Sequence, residues 1–265
     1  MSFVDHDRNG VIFMTSPNIQ AAHAFTTRYG GVSEGIYSSL NLGVNCGDDL
    51  VSVEENYGRI CNILGITLSD IVCSHQIHSA TIRTVTREDC GELFKSSPYK
   101  ADGLITCDNG VALMVFSADC VPILLHDPVR NVIGAIHAGW RGTAKNITGA
   151  AIQKMIGEFG CRPNEICAAI GPCISKCCYE TDQDVVNALY ETLGESVKGC
   201  VVTNNSTKGN KYMVDLKEAN RILLQKAGLC DIMVSDECTS CQNDKYWSHR
   251  RTNGKRGSQA AIIKV

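Results

Sequence analysis

Two short segments carry side chains able to do chemistry together: Ser117-Ala118-Asp119-Cys120 and His137-Ala138-Gly139-Trp140-Arg141-Gly142. Each closes an apolar run, residues 111–116 for the first and 132–136 for the second. Continuous apolar runs of this length read as buried strands, so a thiol and an imidazole sit where two strands end. If those strands are neighbours, Cys120 and His137 approach within a few Å. Such a pair is either a nucleophile with its base, with Asp119 or Asp102 orienting the imidazole, or two thirds of a metal site. A further source of ligands is His75-Gln76-Ile77-His78. An extended backbone there points the two histidines to opposite faces, so at most one serves the site. One cysteine and two histidines from three strand ends would leave one position open on a zinc ion, as catalytic zinc requires. Ligands on separate strands have no characteristic spacing, and spacing alone favours neither reading.

Arginine supplies a second constellation. Arg28, Arg59, Arg141, Arg250 and Arg251 lie in or beside Gly-rich or polar stretches at residues 26–33, 39–43, 170–173 and 248–251. Guanidinium forks recognise phosphate or carboxylate, and the N–H groups of Gly30-Gly31 could approach the same anion. Taken singly, each arginine reads as a solvated surface residue except Arg141, four residues past His137.

Fifteen cysteines are scattered along the 265 residues. An odd count in a chain of this size, with no basic-then-apolar opening segment, leads us to expect reduced thiols and a cytoplasmic location. Cys61, Cys107 and Cys167 lie among apolar neighbours and read as small hydrophobes. Cys173, Cys177 and Cys178 with Cys238 and Cys241 form one C-x-x-x-C-C and one C-x-x-C. That lacks the paired spacing of a zinc ribbon, so ordinary buried thiols are expected there. The net charge of −3 and the lack of a basic run disfavour nucleic acid as a partner, and no apolar stretch is long enough for a membrane span.

The elements that must position these residues are helices and short strands in irregular order. A capping box at Ser52-Val53-Glu54-Glu55 predicts a helix to Leu64, and apolar periodicity predicts another over 143–159. Asp182 and Asp215 are expected to cap helices that stop at Gly194 and Gly228. Strands are expected at 11–14, 80–85, 104–107, 111–116, 121–126, 132–136, 166–170, 232–234 and 260–265. Without regular βα alternation this is an α+β chain, layered as an α/β sandwich, with one domain over residues 1–265.

Seven segments together resemble a known family: TTRYGGVSEGIYSSLNLG, HQIHS, ADGLIT, SADCVPILL, GAIHAGWRGT, IGPCISKCCYE and YWSHRR, in that order over nearly the whole chain. The set is similar to the bacterial laccase-domain family, also called YfiH-like or polyphenol oxidase family. The resemblance implies a single α+β domain distantly similar to a cysteine-dependent toxin deamidase. It implies a zinc site whose ligands map onto His78, Cys120 and His137, residues that are also the catalytic centre. It further implies phosphorolysis of adenosine, inosine and methylthioadenosine, with an accompanying adenosine deaminase activity. The family's substrate-pocket motifs carry over to Asn41, Arg59 and Arg141.

The chain departs from the family in three places, one of them an incidental His126 where a non-histidine residue is usual. Asn56 is followed by Tyr57 where the family has Asn-Arg, and the tail reads SHRRTNGKRGS where the family has SYRRDG and a Gly-Arg pair. The multicopper laccase label fits poorly, because seven histidines with no His-x-His pair fall short of a trinuclear cluster plus a blue-copper site. A single copper could still replace zinc. The His-x-Glu and Pro-Cys-x-x-Cys signature of zinc nucleoside deaminases is also absent. The resemblance thus points to a purine nucleoside phosphorylase acting on nucleoside and phosphate. The alternatives are a Cys–His hydrolase or deamidase, a copper-dependent polyphenol oxidase, and a metal-buffering or redox-sensing protein.

Overall fold

A computed structural model of the chain describes residues 2–91, 99–204 and 211–265. The chain runs through β1 (Val4–Arg8), β2 (Val11–Thr15), β3 (Ala22–Thr26), α1 (Leu50–Leu64), β4 (Ile71–Val72), β5 (Ile82–Thr84), β6 (Gly103–Thr106) and β7 (Ala112–Ser117). It continues with β8 (Val121–Asp127), β9 (Val132–Ala138), α2 (Trp140–Ala144), α3 (Ile147–Phe159), β10 (Cys167–Ile170), β11 (Glu180–Thr181) and α4 (Gln183–Leu193). It ends with β12 (Val201–Asn204), β13 (Lys211–Val214), α5 (Leu216–Lys226), β14 (Asp231–Val234), α6 (His249–Thr252) and β15 (Gln259–Lys264).

Two six-stranded sheets form the centre, with strand orders β1-β2-β3-β15-β7-β4 and β14-β10-β8-β9-β6-β5. A small third sheet has the order β11-β13-β12. The two-residue period of a strand explains the layering. Leu113 and Val115 of β7 pack with Leu124, Ile133 and Ala135 of the second sheet. The alternate residues Ala112 and Met114 face Val53, Tyr57 and Ile60 of α1. Likewise Ile123 and Leu125 of β8 face away from the first sheet, toward Ile152, Met155, Leu189 and Leu223 of α3, α4 and α5. Both faces of the central strands are therefore buried, which is why their sequences are uninterrupted apolar runs. The layers run helix, sheet, sheet, helices. Among the described residues, no helix is long and apolar enough to cross a membrane.

Several boundaries differ from expectation for identifiable reasons. Helix α1 starts at Leu50 because Asp49, not Ser52, is the N-cap, and its carboxylate accepts from Ser52 N. The helix expected over 143–159 is two helices. Asn146 adopts φ 55°, breaks the first, and caps the second by accepting from Gly149 N at 3.1 Å. Strands β1, β3, β4, β11, β12 and β13 were not expected. Strand β1 is exposed and largely polar, yet it pairs with β2 across an Asn9-Gly10 turn in which both residues have positive φ.

Buried Asn56 of α1 ties this helix to the loops leading into the first sheet. Its Oδ1 accepts from Val32 N at 2.8 Å, and its Nδ2 donates to Ser33 Oγ at 2.9 Å and to Asn41 O at 3.0 Å. Asn56→Ala leaves these buried groups without partners, so urea denaturation should show a loss of about 2 kcal/mol or more.

Candidate active site

The thiol and the imidazole meet, though not by the strands the sequence suggested. Strand β7 belongs to the first sheet and β9 to the second. After Ser117 the chain crosses between sheets, and Cys120 stands immediately before β8. Strands β8 and β9 are antiparallel, with Val121 opposite Ala138 and Pro122 opposite His137, so Cys120 lies beside the end of β9. The crossing is made at Asp119, whose φ is 89°. Its carboxylate is held by Thr239 Oγ1 at 2.7 Å and by Arg250 N at 2.6 Å. Asp119 therefore supports the turn.

Asp102 orients the imidazole. Its Oδ1 lies 3.0 Å from His137 Nδ1 and accepts from His78 N at 2.9 Å. Its Oδ2 accepts from Ile77 N at 3.2 Å and from both Ser79 N and Ser79 Oγ at 2.7 Å. His137 N in turn donates to Asp102 O at 2.7 Å. One buried carboxylate thus fixes the His137 ring and the loop that presents His78 at φ 59°. His78 Nε2 lies 3.8 Å from Cys120 Sγ, and the rings of His78 and His137 meet edge to face with centroids 4.9 Å apart. The ligand atoms of His78, Cys120 and His137 all lie within 4.8 Å of one another. His75 takes no part: its backbone pairs with that of Lys100, and it lines a neighbouring cavity.

These neighbours set the protonation states. Burial works to raise the Asp102 carboxyl, but the hydrogen bonds from His137 and Ser79 outweigh it and hold it well below the usual carboxylate range. Burial also opposes ionisation of the Cys120 thiol. The charge and hydrogen bond of His137, reinforced by His78, overcome that and bring it down to about 6. His137 shows the reciprocal effect: burial favours the neutral ring, while Cys120 and Asp102 lift it to about 9. The pair is a thiolate beside an imidazolium around neutral pH.

The donor set suits zinc. It combines one soft thiolate with two imidazoles and leaves one coordination position open. With Nδ1 of His137 committed to Asp102, Nε2 is the atom left for a metal, since a carboxylate on one ring nitrogen turns the other toward an ion. Gly139 is required beside it. A Cβ there would stand 2.8 Å from His78 Cδ2 and 3.3 Å from Cys120 Sγ.

A cavity of about 280 Å³ opens onto His78 and Cys120, and Arg141, Arg250 and Arg256 also line it. Ala118, Ile174, Tyr179 and Leu216 supply its apolar wall. The guanidinium of Arg141 lies over the Trp140 ring at 4.2 Å, and Arg250 Nη1 donates to Cys178 O at 3.4 Å. Arg256 donates through Nη1 to Gly257 O and Ser258 Oγ, and its buried Nε has no hydrogen-bond partner among the described residues. The signal for Arg256 lay only in the tail, where the family has a Gly-Arg pair and this chain has Lys255-Arg256-Gly257. His249 and Arg256 also line a larger cavity of about 610 Å³ on the far side.

The other expected substrate residues lie elsewhere. Arg59 pairs with Glu55 at 3.0 Å and donates to Gly30 O at 3.0 Å, beside Arg8 and Asn62. Asn41 is fully buried, and its Oδ1 accepts from Gly43 N at 2.8 Å and Ser258 N at 2.9 Å. Gly30 and Gly31 allow close backbone packing: a Cβ on Gly30 would strike Gly10 O at 2.3 Å, and one on Gly31 would strike Ser39 O at 2.2 Å. Neither glycine lines the cavity that opens onto His78 and Cys120.

The sequence pattern of the family described as multi-copper polyphenol oxidoreductase laccase matches residues 22–265. The chain is 39% identical over 252 residues to a protein of Geobacillus stearothermophilus named purine nucleoside phosphorylase YlmD, covering 93% of this chain and 91% of that one. It is 32% identical over 241 residues to adenosine deaminase RL5 from an unknown prokaryotic organism, covering 88% and 90%. The crystal structure of the hypothetical protein YfiH of Bacillus licheniformis superposes with a TM-score of 0.92 at 35% identity, covering 99% of this chain and 98% of that one.

In metal-free protein, the rate at which iodoacetamide alkylates Cys120 is expected to rise with pH through about 6, not near the ordinary thiol value of 9.0. Mass spectrometry of the modified peptide across a pH series measures this.

Proposed function

The chain belongs to the multi-copper polyphenol oxidoreductase laccase family, and from that premise we propose that it is a purine nucleoside phosphorylase with an accompanying adenosine deaminase activity. One observation carries the reading: three guanidinium groups line the same cavity as His78 and Cys120, with His137 converging on those two from behind. Relatives named purine nucleoside phosphorylase and adenosine deaminase support the substrate class.

In phosphorolysis a phosphate oxygen bonds to the anomeric carbon while the glycosidic C–N bond breaks. The purine leaves with the electron pair and gains a proton. Arg141, Arg250 and Arg256, which line the cavity, hold the dianion. Ile174, Tyr179 and Leu216 give a flat heterocycle an apolar wall. Asp102 keeps the His137 ring in one tautomer and fixes His78 through its backbone N–H. Zinc on His78, Cys120 and His137 would supply Lewis acidity toward a substrate oxygen or a water, and copper is the alternative ion. The laccase description asks for more histidine than the chain holds: of its seven, only His78 and His137 join a convergent ligand group among the described residues.

Incubation with inosine and phosphate should yield hypoxanthine and ribose 1-phosphate. Cys120→Ala should abolish the product, and Arg256→Ala should raise the KM for phosphate about 10-fold or more, as loss of a charged hydrogen bond implies. No product from the wild type, or equal product from Cys120→Ala, overturns the assignment.

A second reading rests on the order Cys120, His137, Asp102, which is also that of a thiol hydrolase or deamidase. Alkylation separates the two. A metal-bound Cys120 is protected in the protein as purified and is released by a chelator, whereas a free nucleophile reacts at the same rate with and without chelation.

A further inference from the structure

Away from the cavity mouth, four cysteines that the sequence suggested were ordinary buried thiols converge. Cys177 and Cys178 sit on the segment leading to β11, and Cys238 and Cys241 on the turn after β14. The sulfurs of Cys177 and Cys241 are 3.5 Å apart, those of Cys178 and Cys241 3.4 Å, and those of Cys177 and Cys178 3.8 Å. All four sulfurs lie within 4.8 Å of one another. Cys173, which the sequence groups with them, is buried with its backbone bridged to Cys238, but its thiol turns to Ile174 O.

We propose that Cys177, Cys178, Cys238 and Cys241 form a second, structural metal site that binds one zinc ion. Zn–S bonds of about 2.3 Å in a tetrahedron put sulfurs about 3.8 Å apart, close to the spacings found. A disulfide would need sulfurs at about 2.05 Å, and all fifteen cysteines are free. An iron–sulfur cluster would distribute its thiolates over several irons and hold them further apart. Four thiolates close the coordination shell, leaving no position for water or substrate, which makes the role structural.

The Cys238 sulfur already accepts a backbone donor, Ser175 N at 3.3 Å. Cys177 and Cys241 are exposed, so an ion has a route in, and the thiol protons are released to solvent as it binds.

The ion would join a segment that walls the active-site cavity to one that braces Asp119 beside it. Tyr179 follows Cys178 directly and lines it. Thr239, inside the C-x-x-C turn, donates to Asp119 next to Cys120, and its N–H donates to Cys173 O.

The test uses the full chain, reduced, with the Cys120→Ala substitution to remove the first site. Titration with zinc alone should then bind about one ion per chain. Cobalt in its place should give the strong visible band and thiolate charge transfer of a tetrahedral tetrathiolate. Cys241→Ser in the same background should bind no ion at matched concentration. Absence of binding by reduced Cys120→Ala protein overturns the proposal, as does a cobalt spectrum showing nitrogen or oxygen ligands. If Cys241→Ser does not fold, X-ray absorption on the zinc-loaded Cys120→Ala protein decides alone. About four sulfur neighbours near 2.3 Å are expected, and fewer than three refute the site.

Discussion

The Asp102 carboxylate is the constraint on which the site depends. It is fully buried, and its two oxygens are occupied by the backbone of residues 77–79, the Ser79 hydroxyl and the His137 ring. A buried anion is tolerated only when its lone pairs are filled, and here the groups that fill them are the supports of two of the three ligands. The left-handed backbone of His78 is sustained by the same carboxylate. The charge that would otherwise destabilise the interior is used to hold a loop and a strand end in register.

The sandwich explains where this happens. The chain leaves the first sheet after Ser117 and enters the second at Val121, so three residues must turn across the gap between layers. Asp119 makes that turn and is held by the segments at 239 and 250. Cys120 is thereby fixed from two sides: by the β8–β9 ladder and by loops on the helical face. The arginines of the cavity come from the start of α2, from α6 and from the turn that follows it, so the scaffold carries the ligands and the periphery carries the charge.

Much of this was legible in the sequence, for physical reasons. Central strands buried on both faces announce themselves as apolar runs, and Asp215 and Gly194 marked helix ends through local capping chemistry. The edge strand β1 was illegible because three of its five residues are charged and its pairing comes from β2. The Cys120–His137 pair was found, but the wrong strand was credited, since a sequence does not say which sheet a strand joins. Arg59 has the residue type for a phosphate ligand, yet it lies apart from the cavity, paired with Glu55 and donating to Gly30 O. Arg256 has no local signature and reaches the cavity only through the path of the tail. The four-cysteine group escaped because 59 residues separate Cys178 from the next of them, Cys238, and only tertiary structure brings them together.

Gly139 carries a consequence for how such a centre can change over time. It is not a ligand, yet any side chain there would press on a ligand imidazole and a ligand sulfur. A lineage exchanging histidine for cysteine at the neighbouring positions would first have to keep this one empty. The evolutionary freedom of the centre is therefore limited by a residue that contributes only space.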